Sequence, residues 1–202
     1  RVFTGNMTGN IVILGMGLAG ADGLPIVGPA VALFAFVGGV IIAGAALRGA
    51  RSGWTPRATI LLGLVAAFLV AALVPALVND AGTLLPMLVA TALLGLAMGV
   101  QAGVARHIAV ADVTTVVVTS TLVSLAYESY LGKSVPQRWA RRALAIVILI
   151  AGAAVGALLL RLGLAWGIGA AAALTAGVAL VGAVSRHPPA RSPKGSDGAV
   201  TR

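Results

Sequence analysis

Cysteine is absent from the chain. That excludes disulfides, a thiol nucleophile and any metal held by thiolates. Acid is scarce as well, with 5 Asp and Glu against 14 Lys and Arg. No paired carboxylates, nucleophile elbow or phosphate loop stand at the spacing that acid–base, acyl-transfer or nucleotide chemistry needs. The 2 histidines have no further ligand at metal spacing, and His107 beside Arg106 reads as an interfacial residue. An enzyme is therefore not expected, and no cofactor is called for. Charged residues make up only 9% of the sequence, where soluble domains carry about 25%. That excludes an ordinary water-soluble domain. No basic leader with a small-residue cleavage site opens the chain, and a truncated N-terminus is expected.

What is present is apolar. Hydrophobic residues reach 59% with only 4% aromatics, Gly numbers 27, and Ala, Val and Leu dominate, a mixture suited to helices that approach backbone to backbone in lipid. A bilayer core is spanned by about 20 apolar residues. Five runs meet that length: Leu24 to Leu47, Ala58 to Val78, Leu84 to Ala105, Ala143 to Leu160 and Leu162 to Val184. Pro25, Pro56 and Pro86 stand at or near helix starts, where the missing N–H has no helical partner to lose, and Pro75 is placed to kink the second run. Residues 186–202, rich in Pro, Ser, Gly and charge, read as a disordered tail.

The formal charge of +9 does not point to nucleic acid, because the bases are spread over short loops and the tail. Retention of Lys and Arg on the cytoplasmic side explains them. Arg48, Arg51 and Arg57 place the first loop inside, and the third run returns inward to Arg106 and His107. The stretch from Ile108 to Ala126 is long enough to cross but is studded with Thr and Ser. If it crossed, Lys133, Arg138, Arg141 and Arg142 would lie outside. If it enters and leaves on one side, they stay inside with the tail and only Arg161 is external. The charge rule favours a re-entrant or broken segment.

A second such segment opens the chain, "FTGNMTGNIVILG" at Phe3 to Gly15, whose apolar part, Ile11 to Ala21, is too short to cross. At an offset of 111 residues Thr4 aligns with Thr115, Thr8 with Thr119, Gly9 with Ser120, Asn10 with Thr121 and Leu14 with Leu125. A pair of spans follows each segment, with opposite starting sides. The expected fold is an all-α integral membrane bundle in one membrane domain, 1–185. It divides into two inverted repeats, at about 1–80 and 84–185, each with a broken polar segment. The helix that would open the first repeat, ahead of Phe3, is expected to be missing from this chain.

Broken backbone is tolerated in the hydrocarbon only where protein or a water-filled cavity surrounds it. Facing half-helix ends line the substrate sites of inverted-repeat transporters. The candidate substrate site is therefore Thr4, Asn6, Thr8, Gly9 and Asn10 from one segment, Thr115, Thr119, Ser120 and Thr121 from the other, and Gln101 from the third run. The competing reading is that these groups only cap and join helices. Asp112 is either a proton- or ion-coupling acid or a helix cap at the cytoplasmic edge. Gln101 faces the cavity or a neighbouring helix. Gly95, Gly99 and Gly103, and more weakly Gly152 and Gly156, form small-residue ridges for close contact, within the subunit or in a homo-oligomer.

"NMTGN" and "LLGLAMGVQAGVARHIAVADVTTVVVTSTLVSLA", at Leu93 to Ala126, resemble the YoaK-like family of bacterial membrane proteins of unknown function. The likeness runs over nearly the whole ordered chain, with Thr119-Ser120-Thr121 where the family pattern has Thr-Gly-Thr. It implies a multi-pass protein of the bacterial inner membrane with an N-terminal helix that this chain lacks. The leading functional expectation is a transporter or channel for a small solute. The alternative is a non-transporting membrane scaffold or accessory subunit. The lipid bilayer is the expected partner.

Overall fold

A computed structural model of the chain describes residues 2–21, 23–78, 83–108, 122–123, 126–127 and 136–184. Among them are six helices and no strand: α1 (Met7–Leu18), α2 (Val27–Ala46), α3 (Pro56–Val78), α4 (Leu84–Ile108), α5 (Pro136–Leu162) and α6 (Leu164–Val184). All but α1 are long and apolar enough to cross a bilayer. The five apolar runs therefore became five spanning helices. The largest boundary difference is at α5, which begins at Pro136 instead of near Ala143. Proline fits the first helical position, and the Gln and Arg residues that follow it are good helix formers. Pro29 and Pro86 lie in the first turns of α2 and α4, where N–H groups have no intrahelical acceptor. Pro75 lies inside α3, which continues to Val78.

Glycine decides how α2 and α4 meet. A methyl group added at Gly95 would lie 3.0 Å from the Ala32 carbonyl oxygen, one at Gly99 would strike the Phe36 carbonyl, and one at Gly103 would strike the Ala43 side chain. Both residue numbers rise together along the contact, so the two helices run parallel. Gly39 of α2 answers from the other side, facing the Leu96 carbonyl and the Val100 amide. The ridge at Gly95, Gly99 and Gly103 is thus filled by α2 of the same chain. Of the two readings of this ridge, within the subunit or in a homo-oligomer, the structure shows the first: Gly95, Gly99 and Gly103 meet α2 backbone to backbone.

α3 packs on α4 on one side and α6 on the other, and these contacts bury Leu61, Val65, Leu69 and Val104. Trp54, just ahead of α3, lays its ring over Gly182 near the end of α6, so α3 and α6 run antiparallel. The Trp54 indole N–H donates to Thr59 Oγ1 at 3.0 Å. α5 and α6 are joined through Gly163, whose φ of 132° lies in a region costly for any residue with a Cβ. Beside this turn Leu160 rests on Gly167.

One end of the bundle collects basic side chains. The Gly53 N–H donates to the His107 carbonyl at 3.4 Å, tying the α2–α3 link to the end of α4. Arg57 Nη1 donates to the Ala46 carbonyl at 3.3 Å and the Arg48 carbonyl at 3.1 Å. A cation on the last carbonyls of α2 offsets the negative end of its dipole. Arg48, Arg51, Arg57 and Arg106 therefore share an end, opposite the Gly163 turn and Arg161.

Candidate functional site

The polar cluster at the front of the chain forms the first turn of α1 and the non-helical residues ahead of it, which bend at Thr4 and Gly5. Asn6 is the N-cap: its side-chain oxygen accepts the Gly9 N–H at 3.2 Å, taking one of the donors that open any helix. Asn10 is fully buried. Its Oδ1 accepts the Phe3 N–H at 3.0 Å while its Nδ2 donates to the Phe3 carbonyl. One carboxamide thus stands in for a neighbouring strand, satisfying both backbone groups of a residue that has no sheet or helix to join. The Asn10 Nδ2 also reaches Met7 Sδ at 3.6 Å.

The space above Gly9 belongs to Phe3, since a methyl group added at Gly9 would lie 2.9 Å from the Phe3 ring. The strap of residues 2–5 is thereby clamped onto α1 by an amide on one side and an aromatic ring on the other. Thr4 is half-buried, and Thr8 is exposed on the outer surface of the first turn.

Contacts with the spanning helices set the position of this unit. Val2 lies against Gly28, in the first turn of α2, whereas Gly5 lies against the side chain of Met98, well inside α4. Gly17, near the end of α1, lies against Ile26 and the Leu24 carbonyl, back at the start of α2. Three residues of extended chain cover about 10 Å, and the 12 residues of α1 rise about 18 Å, short of the roughly 30 Å of a hydrocarbon core. Both ends of the unit therefore lie near the start of α2, and its tip, at Gly5, lies beside the middle of α4. Gln101 is exposed on α4 one turn beyond Met98, on the same flank.

The structure thus joins Thr4, Asn6, Thr8, Gly9 and Asn10 in one small unit and sets Gln101 close to its tip. Thr115, Thr119, Ser120, Thr121 and Asp112 lie outside the described residues. Among the described residues no three His, Cys, Asp or Glu side chains come together as a metal site. Two residues that sequence reasoning did not single out, Phe3 and Met98, hold the unit in place. Phe3 carried a faint signal, an aromatic residue ahead of two Gly-Asn pairs, but no local rule links an amide to the backbone seven residues earlier. Met98 carried none.

Comparison with known proteins agrees with this architecture. Residues 1–181 match the family described as "Protein of unknown function (DUF1275)". The chain is also similar to the UPF0700 transmembrane protein YoaK of Bacillus subtilis (strain 168), 32% identical over 125 residues, which is 62% of this chain and 55% of that protein. The similarity thus spans little more than half of the relative's length. No solved structure matches. With five helices long and apolar enough to span a membrane and a family match over residues 1–181, the chain is a multi-pass membrane protein and belongs to the DUF1275 family.

Proposed function

We propose that the protein is a transporter or channel for a small solute, with its site at the tip of the strap–α1 unit. The observation that carries this reading is the position of the α1 N-terminus: Gly5, just ahead of the Asn6 cap, sits against Met98 in the middle of α4, while Val2 and Gly17 sit near the start of α2. In lipid, non-helical backbone at that depth is tolerated where it is covered by protein or lines a cavity. The first N–H groups of α1 add the partial positive charge that such helix ends direct at a solute. Asn6, Asn10 and Gly9 build the tip and hold it, whereas Thr8 and Gln101, both exposed, are the side chains open to a solute. In this reading the unit is re-entrant, and a second unit around Thr115 to Thr121 faces it in an inverted repeat. Asp112 couples a proton or ion, the basic end lies in the cytoplasm with the tail, and the membrane is the bacterial inner membrane.

The scaffold reading calls for an exposed small-residue ridge, but Gly95, Gly99 and Gly103 face α2. The weaker ridge of Gly152 and Gly156 on α5 does face open space, and it is the one observation among the described residues that favours this second reading.

The test uses the full-length protein in proteoliposomes. Flux is followed by light scattering with glycerol and urea and by ion-selective electrodes with chloride and acetate. Flux of at least one probe above protein-free liposomes is expected. The double variant Thr8→Val, Gln101→Leu should lower it at least tenfold with an unchanged melting temperature. Absence of flux for every probe, or full flux in the double variant, overturns the proposal.

A further inference from the structure

We infer that the basic end of the bundle seats the headgroup of an anionic phospholipid: Arg48 and Arg51 of the α2–α3 link and Arg106 at the end of α4 hold its phosphate at the membrane surface. Two hydrogen-bonded junctions bring these side chains to one place. The Gly53 N–H donates to the His107 carbonyl at 3.4 Å, which sets the link, with Arg51 two residues earlier, beside the residue that follows Arg106. Arg57 Nη1 donates to the Arg48 carbonyl at 3.1 Å, which brings the start of α3 onto the end of α2. Arg57 is thereby engaged in capping α2, whereas Arg48, Arg51 and Arg106 are exposed.

Charge distinguishes this surface from the opposite end. Among the described residues no carboxylate faces the three guanidinium groups, because none of the chain's 5 Asp and Glu lies among them. The opposite end, at the Gly163 turn, carries Arg161 in the last turn of α5. Like charges crowded on one small surface repel one another until an anion joins them. A guanidinium presents its N–H groups in a planar fork that meets two oxygens of a phosphate at once, so several around one point suit that group.

Depth and neighbours make the phosphate a lipid's. The 20 residues of α2 rise about 30 Å, the thickness of a hydrocarbon core, and Arg48 directly follows the Leu47 cap. Arg106 lies in the last turn of α4 and ends its apolar run. Both therefore stand at the level of the headgroups. Beneath them the surface is apolar and open. Ile41 and Ala45, two turns and one turn before Arg48, are exposed, and Ile60, one turn further into α3 than Arg57, is 71% exposed. Acyl chains can lie on these residues below the phosphate, a contact that a free phosphate ion does not make. Basic clusters at the membrane surface bind anionic headgroups in this way. Phosphatidylcholine sets a cationic choline against the same arginines, so the net charge of the headgroup decides the preference. The inference is independent of solute transport.

Native mass spectrometry of the delipidated full-length protein tests it, with phosphatidylglycerol and phosphatidylcholine of identical acyl chains added in turn from detergent micelles. The expected affinity for phosphatidylglycerol is about tenfold above that for phosphatidylcholine. The triple variant Arg48→Gln, Arg51→Gln, Arg106→Gln should remove the preference, while Arg161→Gln keeps it at the parent value. Equal affinities in the parent would overturn the inference, since carboxylates of the chain itself would then occupy the arginines. A full preference in the triple variant, or an equal loss in Arg161→Gln, would overturn it in favour of charge that is not localised. Displacement of the lipid by an equimolar amount of glycerophosphoglycerol, the same headgroup without acyl chains, would overturn it in favour of a soluble phosphodiester. If the triple variant does not fold, as judged by circular dichroism, the three single variants are read instead. Each should lower the preference by about twofold or more, and an unchanged preference in all three would overturn the inference.

Discussion

Replacing Gly99 by alanine adds one methyl group where α2 and α4 have the least room. The new Cβ would overlap the Phe36 carbonyl oxygen and lie 2.9 Å from the Phe36 carbonyl carbon and 3.1 Å from the Gly39 Cα. All three are backbone atoms, so no rotamer change relieves the clash and the helices must move apart. Overpacking of this kind costs about 1–3 kcal/mol, while alanine returns up to about 1 kcal/mol through its better helix propensity. The net expectation is a loss of about 1–2 kcal/mol. Gly44→Ala, on α2, supplies the control, because nothing lies within 4 Å of the methyl group it adds and only the propensity gain remains. The two variants should therefore differ by about 2 kcal/mol, more than tenfold in the folding equilibrium. Reversible unfolding in mixed micelles, followed by far-ultraviolet circular dichroism, measures the difference. A Gly99→Ala protein as stable as Gly44→Ala would refute backbone-level packing between α2 and α4, and with it their parallel pairing.

Asn10→Leu should release the strap: it removes both partners of the partly exposed Phe3 backbone, hydrogen bonds that contribute about 0.5–1.5 kcal/mol each. Faster amide exchange over residues 2–5, with the spanning helices unaffected, is the expected readout, and unchanged protection would show that the clamp is not formed. Gly182→Leu puts a side chain where the Trp54 ring lies. A red-shifted Trp54 emission and a lower melting temperature should follow in a Trp139→Phe, Trp166→Phe background, and an unshifted spectrum would contradict the antiparallel α3–α6 contact. Arg57→Gln loses the cation on the end of α2 and should destabilise by about 0.3–1 kcal/mol, measured by the same unfolding assay, with no change in oligomeric state. The cysteine-free background makes topology direct to read. Single cysteines at Ser52 and Ser134 should both react with an impermeant maleimide only from the cytoplasmic side, and labelling of either from outside would overturn the re-entrant arrangement.

The spanning helices were legible in the sequence because a run of about 20 apolar residues has no way to satisfy its backbone in lipid other than as a helix. Their ends lie within about three residues of expectation except where Pro136 and a basic first turn let α5 start early. The close-contact role of Gly95, Gly99 and Gly103 was legible as well, since hydrogen side chains four apart make a groove whatever fills it. Tertiary structure decided what fills it: α2 of the same chain, because Gly39 offers a matching gap at the right height. It also decided the part played by the front cluster. Spacing alone marked Asn6 and Asn10 as polar groups ahead of an apolar run; only the folded chain brings Phe3 back over Gly9 and gives Asn10 both of its backbone partners. Which apolar residues of α3 and α6 are buried was decided by the fold as well, because Leu, Ile, Val and Ala are equally at home in lipid and in a helix contact, and composition cannot tell one from the other.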